Sequence, residues 1–283
     1  MTDYVKYSIL VPVDFTDQSF QALQYAAGLL RKKDGIIHLL HVVDDYAGVD
    51  HTLLNTQKEK LFEYARKNQE LFAISIVPNI VTGNIFHSIG ETAAKLGAKL
   101  IVMGTHPMSS IQFLIGSFAA RVILGSTIPV LLTNGNSRFR TYQNIVLPFD
   151  YHMNMDLLLQ AALQIGQKYN SKIHLFSQSE NLSFFAQKRK NFKIKQALYK
   201  IKKKKLECQN VMLESESGDF TDNILKYAES VDADLLISNL QKKTKKAPCN
   251  EYLPIHLGVK LLQDAKIPLL FEPNKTVFNG IEL

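Results

Sequence analysis

Cysteine is nearly absent: Cys208 and Cys249 are the only two in 283 residues. Two thiols make no disulfide framework, and no Cys/His spacing suits a metal site. A reducing compartment, the cytoplasm, is the expected location. Long apolar runs are also missing. No stretch reaches the roughly 18–20 uncharged apolar residues of a membrane span. The opening "MTDYVKYSIL" lacks the basic segment and long apolar core of a secretory leader, and reads as the approach to a first strand. Three catalytic signatures are absent: Gly-x-x-x-x-Gly-Lys-Ser/Thr, His-Glu-x-x-His and Gly-x-Ser-x-Gly. No side chain stands out as a nucleophile beside a base. A dedicated enzyme is therefore not expected.

What is present is ordinary for a globular chain: 46 % hydrophobic and 21 % charged residues. The length favours two domains of about 100–200 residues each. The net charge is +7 and unevenly spread. Residues 1–138 hold 12 Lys/Arg and 11 Asp/Glu, whereas residues 139–283 hold 21 and 15. Most of the excess lies in "KRKNFKIKQALYKIKKKK", residues 188–205, with ten basic and no acidic residues, and in "KKTKK", residues 242–246.

The chain repeats itself. "YSILVPVDFTDQSFQALQYAAGLLRKKDGIIHLLHV" from Tyr7 aligns without a gap on "QNIVLPFDYHMNMDLLLQAALQIGQKYNSKIHLFSQ" from Gln143. Pro12 falls on Pro148, Asp14 on Asp150 and His38 on His174. Further on, Gly83 falls on Gly218, Leu100 on Leu235 and Pro129 on Pro268. Two tandem copies of one domain are the simple reading. The polar stretch "NGNSRFRTY" divides them into residues 1–137 and 138–283.

Within copy one, short apolar runs alternate with long amphipathic segments. "SILVPV", "IIHLLHVV", "AISIVPNIV", "KLIVMG" and "PVLLT" read as strands. Helices separate them, the first capped by Thr16 and with Phe20, Leu23, Ala27 and Leu30 on one face. A short helix is expected to open at Gly116-Ser117. Strands apolar on both faces, separated by helices, imply a parallel sheet covered on both sides. Ligands of such sheets bind at the carboxyl ends of the strands, where Asp14 and Gly104 fall.

At this point the chain resembles the universal stress proteins in their tandem two-domain form. The resemblance rests on "ILVPVDFT", "HLLHV", "LIVMGTH", "IGS" and "IPVLL", in that order and spacing. It implies two tandem Rossmann-like α/β domains, each a five-stranded parallel sheet with helices on both faces. It implies a stress-response binding or regulatory role. It also implies pairing of the two domains within the chain, with a homodimer as a further assembly, and protein partners it does not name.

Nucleotide-binding members carry Gly, two residues, Gly, nine residues, Gly, then Ser or Thr. Gly104 matches the first glycine, and Gly116 with Ser117 the closing pair. Pro107 replaces the middle glycine, and only eight residues separate it from Gly116. Proline offers no N–H and fixes φ, so a phosphate loop would be reshaped. The resemblance places Pro12, Val13 and Asp14 at the adenosine end of an ATP site, with the Val42 backbone against adenine. Gly104, Thr105, His106, Gly116 and Ser117 would meet ribose and phosphates, with Mg²⁺ accompanying the phosphates. Gly116 and Ser117, as a helix start, would add free N–H groups. Slow nucleotide hydrolysis would need a base, for which His106 is the candidate. The alternative is a nucleotide-free interaction protein, in which Gly104 and Gly116 only shape a tight loop and Asp14 caps a turn.

Copy two has Asn239 for Gly104, and Ile255-His256 for Gly116-Ser117. A structural, pairing role fits it better. The basic run reads as an amphipathic helix, with Phe192, Ile194, Ala197, Leu198 and Ile201 on an apolar face. A solvated lysine face is the expectation for it, with nucleic acid or membrane binding not expected. His38 and His174 read as structural histidines within strands.

Overall fold

The computed structural model describes residues 7–31, 34–44, 51–105, 112–134, 139–149, 155–178, 183–214, 219–240 and 260–273, with the backbone alone at 112–117. The chain divides into two compact units between Phe139 and Arg140.

Unit 1 alternates strand and helix throughout: β1 (Tyr7–Pro12), α1 (Asp17–Leu30), β2 (Gly35–Val43), α2 (His51–Phe72), β3 (Ser75–Thr82), α3 (Ile85–Lys95), β4 (Leu100–Gly104), α4 (Gln112–Gly125) and β5 (Val130–Thr133). Its strands are ordered β3-β2-β1-β4-β5 and all pair in parallel. Ile9, Leu10 and Val11 of β1 are fully buried, as a central strand covered on both faces requires. Each such side chain contributes roughly 1.5–3 kcal/mol by leaving water.

Unit 2 repeats the plan: β6 (Asn144–Phe149), α5 (Met155–Tyr169), β7 (Lys172–Gln178), α6 (Phe184–Lys203), β8 (Cys208–Leu213), α7 (Phe220–Ser230), β9 (Leu235–Asn239) and β10 (Leu269–Glu272). Its parallel strands run β8-β7-β6-β9-β10. The sequence repeat reappears as register. Ile9 faces Ile37 and Leu100 in unit 1, and Ile145 faces Ile173 and Leu235 in unit 2.

Local chemistry sets the helix ends. The Thr16 hydroxyl accepts from Ser19 N–H at the start of α1. Asn84 does the same for α3 through Phe86 N–H, and Asp219 for α7 through Thr221 and Asp222. Gly97 ends the α3 turn at φ 67°, a conformation that favours glycine.

Two expectations need correction here. Helix α4 begins at Gln112, so Gly116 is its fifth residue and does not open it. An interior N–H of an α-helix is committed to the carbonyl four residues earlier, so Gly116 and Ser117 do not present a helix N-terminus. On α6, Phe192 is not on the apolar inner face. It is 61 % exposed, while Lys190, Ile194, Ala197 and Ile201 are buried. The β-branched and small residues fit the space against the sheet, and Lys190 donates its ammonium to the Gln178 carbonyl.

Among the histidines, His174 is a satisfied core residue. Its Nε2 donates to Asn144 Oδ1 at 3.1 Å, and its Nδ1 pairs with the Tyr227 hydroxyl at 2.7 Å. Burial, aided by Lys172, holds its pKa below the usual value. His38 is half-buried, and burial lowers its pKa too. The Cys208 thiol is pushed up by burial, which makes it a poor nucleophile.

Glu272, at the end of β10, is buried, and its Oε1 has no partner among the described residues. Burial pushes its pKa from 4.5 to about 8. The folded state keeps the proton that the unfolded chain releases above its own pKa. Stability should therefore fall as pH rises from the unfolded pKa to about 8, by roughly 3 kcal/mol at pH 7. Glu272→Gln should remove that slope and raise the urea midpoint at neutral pH. An unchanged pH profile in urea unfolding would contradict this assignment.

Candidate functional site

In unit 1 the strand order reverses direction between β1 and β4. Chain leaving β1 moves outward to β2 and β3, then returns to β4 on the other side. Connections diverge there and leave a crevice at the strands' carboxyl ends. A cavity of about 360 Å³ occupies that crevice. This is within the range of small-molecule sites, about 300–1,000 Å³.

Its walls come from the ends of three strands and from three helices. Pro12, Val13 and Asp14 end β1, and Leu40, His41 and Val42 end β2. Met103, Gly104 and Thr105 end β4. Thr16, Gln18 and Ser19 come from the start of α1, and Ile85 and Ile89 from α3. Phe118 and Ala119 come from α4. Six expected site residues thus converge: Pro12, Val13, Asp14, Val42, Gly104 and Thr105. His106 and Pro107 lie outside the described residues, as do Asp150, residues 242–246, Cys249, Ile255 and His256. Gly116 and Ser117 are placed only by their backbone in α4.

The turn from β1 into α1 is tightly built. Asp14 Oδ1 accepts from Thr16 N–H at 3.1 Å and from the Thr16 hydroxyl at 2.5 Å. The backbone passes through Phe15 at φ 64°. That costs about 1 kcal/mol or more for a non-glycine residue. Contacts hold Phe15 there: its ring packs against His41 at 4.8 Å and Tyr64 at 5.5 Å, under the Lys60 ammonium at 4.1 Å. The Tyr64 hydroxyl is pushed up to about 12, by burial first and then by the charges of Asp14 and Asp17. It stays protonated.

The floor follows sheet logic. Val13 N–H donates to the Leu40 carbonyl at 2.8 Å, and the β1–β2 register ends at Pro12 with Leu40. Backbone groups two residues apart on a strand point the same way. Val42 therefore directs its N–H and C=O toward the gap beyond β1. The Val13 carbonyl is taken by His41 Nδ1–H at 2.8 Å.

Gly104 is required by a close approach. A Cβ there would lie 2.3 Å from the Gln18 carbonyl oxygen. Thr105 directs both its N–H and its hydroxyl at the Thr133 carbonyl, at 2.8 and 3.2 Å.

The lining is mostly apolar, with polar groups at the rim of β1 and α1. No Lys or Arg is among its described residues. Nor do the described residues hold a cluster of three His, Cys, Asp or Glu that could bind a metal ion. Sequence reasoning missed Thr16, Gln18, Ser19, His41, Ile85, Ile89 and Phe118. Most follow a strand end or begin a helix, so the strand-end rule applied to every connection would have found them.

These features define an α/β domain with a ligand-sized cavity at its topological switch. The universal stress protein family model matches residues 7–134. Universal stress protein MJ0531 of Methanocaldococcus jannaschii is 29 % identical over 135 residues, 44 % of this chain and 79 % of that protein. Universal stress protein G of Shigella flexneri is 29 % identical over 138 residues, 44 % of this chain and 96 % of that protein. Among solved structures, a universal stress protein from Archaeoglobus fulgidus superposes with a TM-score of 0.72 at 17 % identity. That match covers 95 % of this chain and 98 % of the other. One from Pseudomonas aeruginosa gives 0.60 at 17 % identity, covering 95 % and 94 %. At such identities the likeness is of fold, and it extends across both units. No helix among the described residues is long and apolar enough to cross a membrane.

The Gly104 contact yields a test. Gly104→Ala should destabilise unit 1 by about 1–3 kcal/mol, because the first turn of α1 must move. Asp14→Ala should cost about 1 kcal/mol through the freed Thr16. Urea unfolding followed by circular dichroism reads both. A Gly104→Ala variant as stable as wild type would contradict the close packing.

Proposed function

We propose that unit 1 binds an adenine nucleotide at its strand-end cavity, and that the protein is a cytoplasmic stress-response regulator rather than an enzyme. The observation that carries this is the convergence of Pro12, Val13, Asp14 and Val42 on one apolar cavity at the β1–β4 switch. An apolar slot suits a purine face. The Val42 backbone offers a donor and an acceptor toward the gap, which is what a purine edge needs. Asp14 at the rim suits a ribose or exocyclic amine. The absence of Lys and Arg from the described lining means that the adenosine moiety supplies most of the recognition. Phosphates would bring their own Mg²⁺. Unit 2 serves as a structural partner to unit 1, and pairs the two copies within the chain.

A second reading has its own support. Asp14 and Thr105 spend polar groups within the chain, and Gly116 lies inside α4. These features suit a nucleotide-free protein that acts through other proteins.

Calorimetric titration of adenosine, AMP and ATP into the full chain separates the two. The proposal expects similar affinities for all three, and a loss of about tenfold for each in Asp14→Ala. Absence of binding by wild type at millimolar ligand would favour the second reading. Tight ATP binding with no adenosine binding would contradict adenosine as the recognised moiety.

A further inference from the structure

The outer face of α6 carries an unusual pairing of exposed rings and cations. Phe185, Phe192 and Tyr199 are 80, 61 and 67 % exposed. They are seven residues apart, a spacing that drifts only about 20° per step around a helix. They therefore form one stripe along α6. At 100° per residue this stripe lies opposite the buried stripe of Lys190, Ile194, Ala197 and Ile201, which faces the body of unit 2. The rings are thus turned to solvent by the same helix geometry that seats α6.

Cations border the rings. Lys188, Lys195 and Lys202 follow one side of the stripe at the same heptad spacing, all exposed. Lys203 sits at its C-terminal end. The Lys188 ammonium lies 4.4 Å from the centroid of the Phe184 ring, itself 67 % exposed. Residues 188–205 contain no acidic side chain. Lys200 pairs with Asp156 of α5 at 2.7 Å.

We propose that this face of α6 docks on an anionic lipid bilayer surface, rings into the headgroup boundary and lysines against lipid phosphates. Charge selects the class of partner. Two copies of so basic a face would repel, whereas an anionic surface attracts it. Ring spacing selects between anionic surfaces. Seven residues of helix rise about 10.5 Å, while bases along one strand are about 3.4 Å apart. Rings so spaced cannot stack on successive bases. Insertion between lipid headgroups sets no such spacing, and a helix that joins exposed aromatics to lysines suits an interfacial position. The helix runs about 30 Å, long enough to lie flat along the surface.

The test is sedimentation of the full chain with vesicles of phosphatidylcholine alone, and of phosphatidylcholine mixed equally with phosphatidylglycerol. Wild type should pellet with the anionic vesicles, be released by high salt, and stay in solution with the neutral ones. Phe185→Ser, Phe192→Ser and Tyr199→Ser combined should lower partitioning about tenfold, as should Lys188→Gln, Lys195→Gln and Lys202→Gln combined. All six positions are exposed, and circular dichroism checks that both variants fold. Wild type that fails to pellet would overturn the proposal. So would an aromatic variant that partitions like wild type. A single-stranded RNA oligonucleotide bound in preference to vesicles would overturn it in favour of nucleic acid. A homodimer lost in the aromatic variant would overturn it in favour of a second copy.

Discussion

The backbone of Gly104 lies so near the Gln18 carbonyl that no side chain fits between them. This contact brings the end of β4 against the first turn of α1, across the point where the strand order reverses. The turn before α1 must then be sharp, and Phe15 takes a left-handed conformation to make it. Asp14 locks the turn through Thr16, and the Phe15 ring is wedged between His41 and Tyr64. The cavity is what these constraints leave open. Its walls are strand-end main chain and mostly apolar side chains, among them Ile85, Ile89, Met103 and Phe118.

Unit 2 applies the same plan to other residues. Asn239 stands where Gly104 stands, and Glu272 where Thr133 stands, with the two paired in register at the ends of β9 and β10. Both are buried. The equivalent strand ends are therefore occupied by polar side chains of the chain itself. One topology thus carries different residues at the same strand ends: Gly104 and Thr133 in unit 1, Asn239 and Glu272 in unit 2. The fold fixes where a ligand would sit, while the residues at the strand ends decide whether there is room.

Architecture was legible because it rests on long-range periodicity. Alternating buried runs and amphipathic segments fixed the parallel sheet, and the 136-residue offset carried into strand register, with Ile9 over Ile37 and Ile145 over Ile173. Thr16 was readable as a cap because its hydroxyl needs only local geometry. The helix boundary at α4 was not. Gly-Ser suggests a start, yet the helix begins at Gln112. Thr105 was readable as a residue at the site but not in its orientation, since its donors go to Thr133, 28 residues away. Phe192 was misassigned because an aromatic at helical spacing suggests a core, whereas seven-residue spacing with Phe185 and Tyr199 places it outside. The part His41 plays in the cavity wall depends on a bond to Val13 that no local pattern encodes.

The account's central claim is that one strand-end cavity, in unit 1, recognises adenosine. Native mass spectrometry of the full chain titrated with ATP tests it most directly. The account predicts a single nucleotide adduct per chain, which adenosine displaces. No adduct at millimolar ATP would contradict it, and two adducts of equal affinity would contradict the distinction drawn between the units.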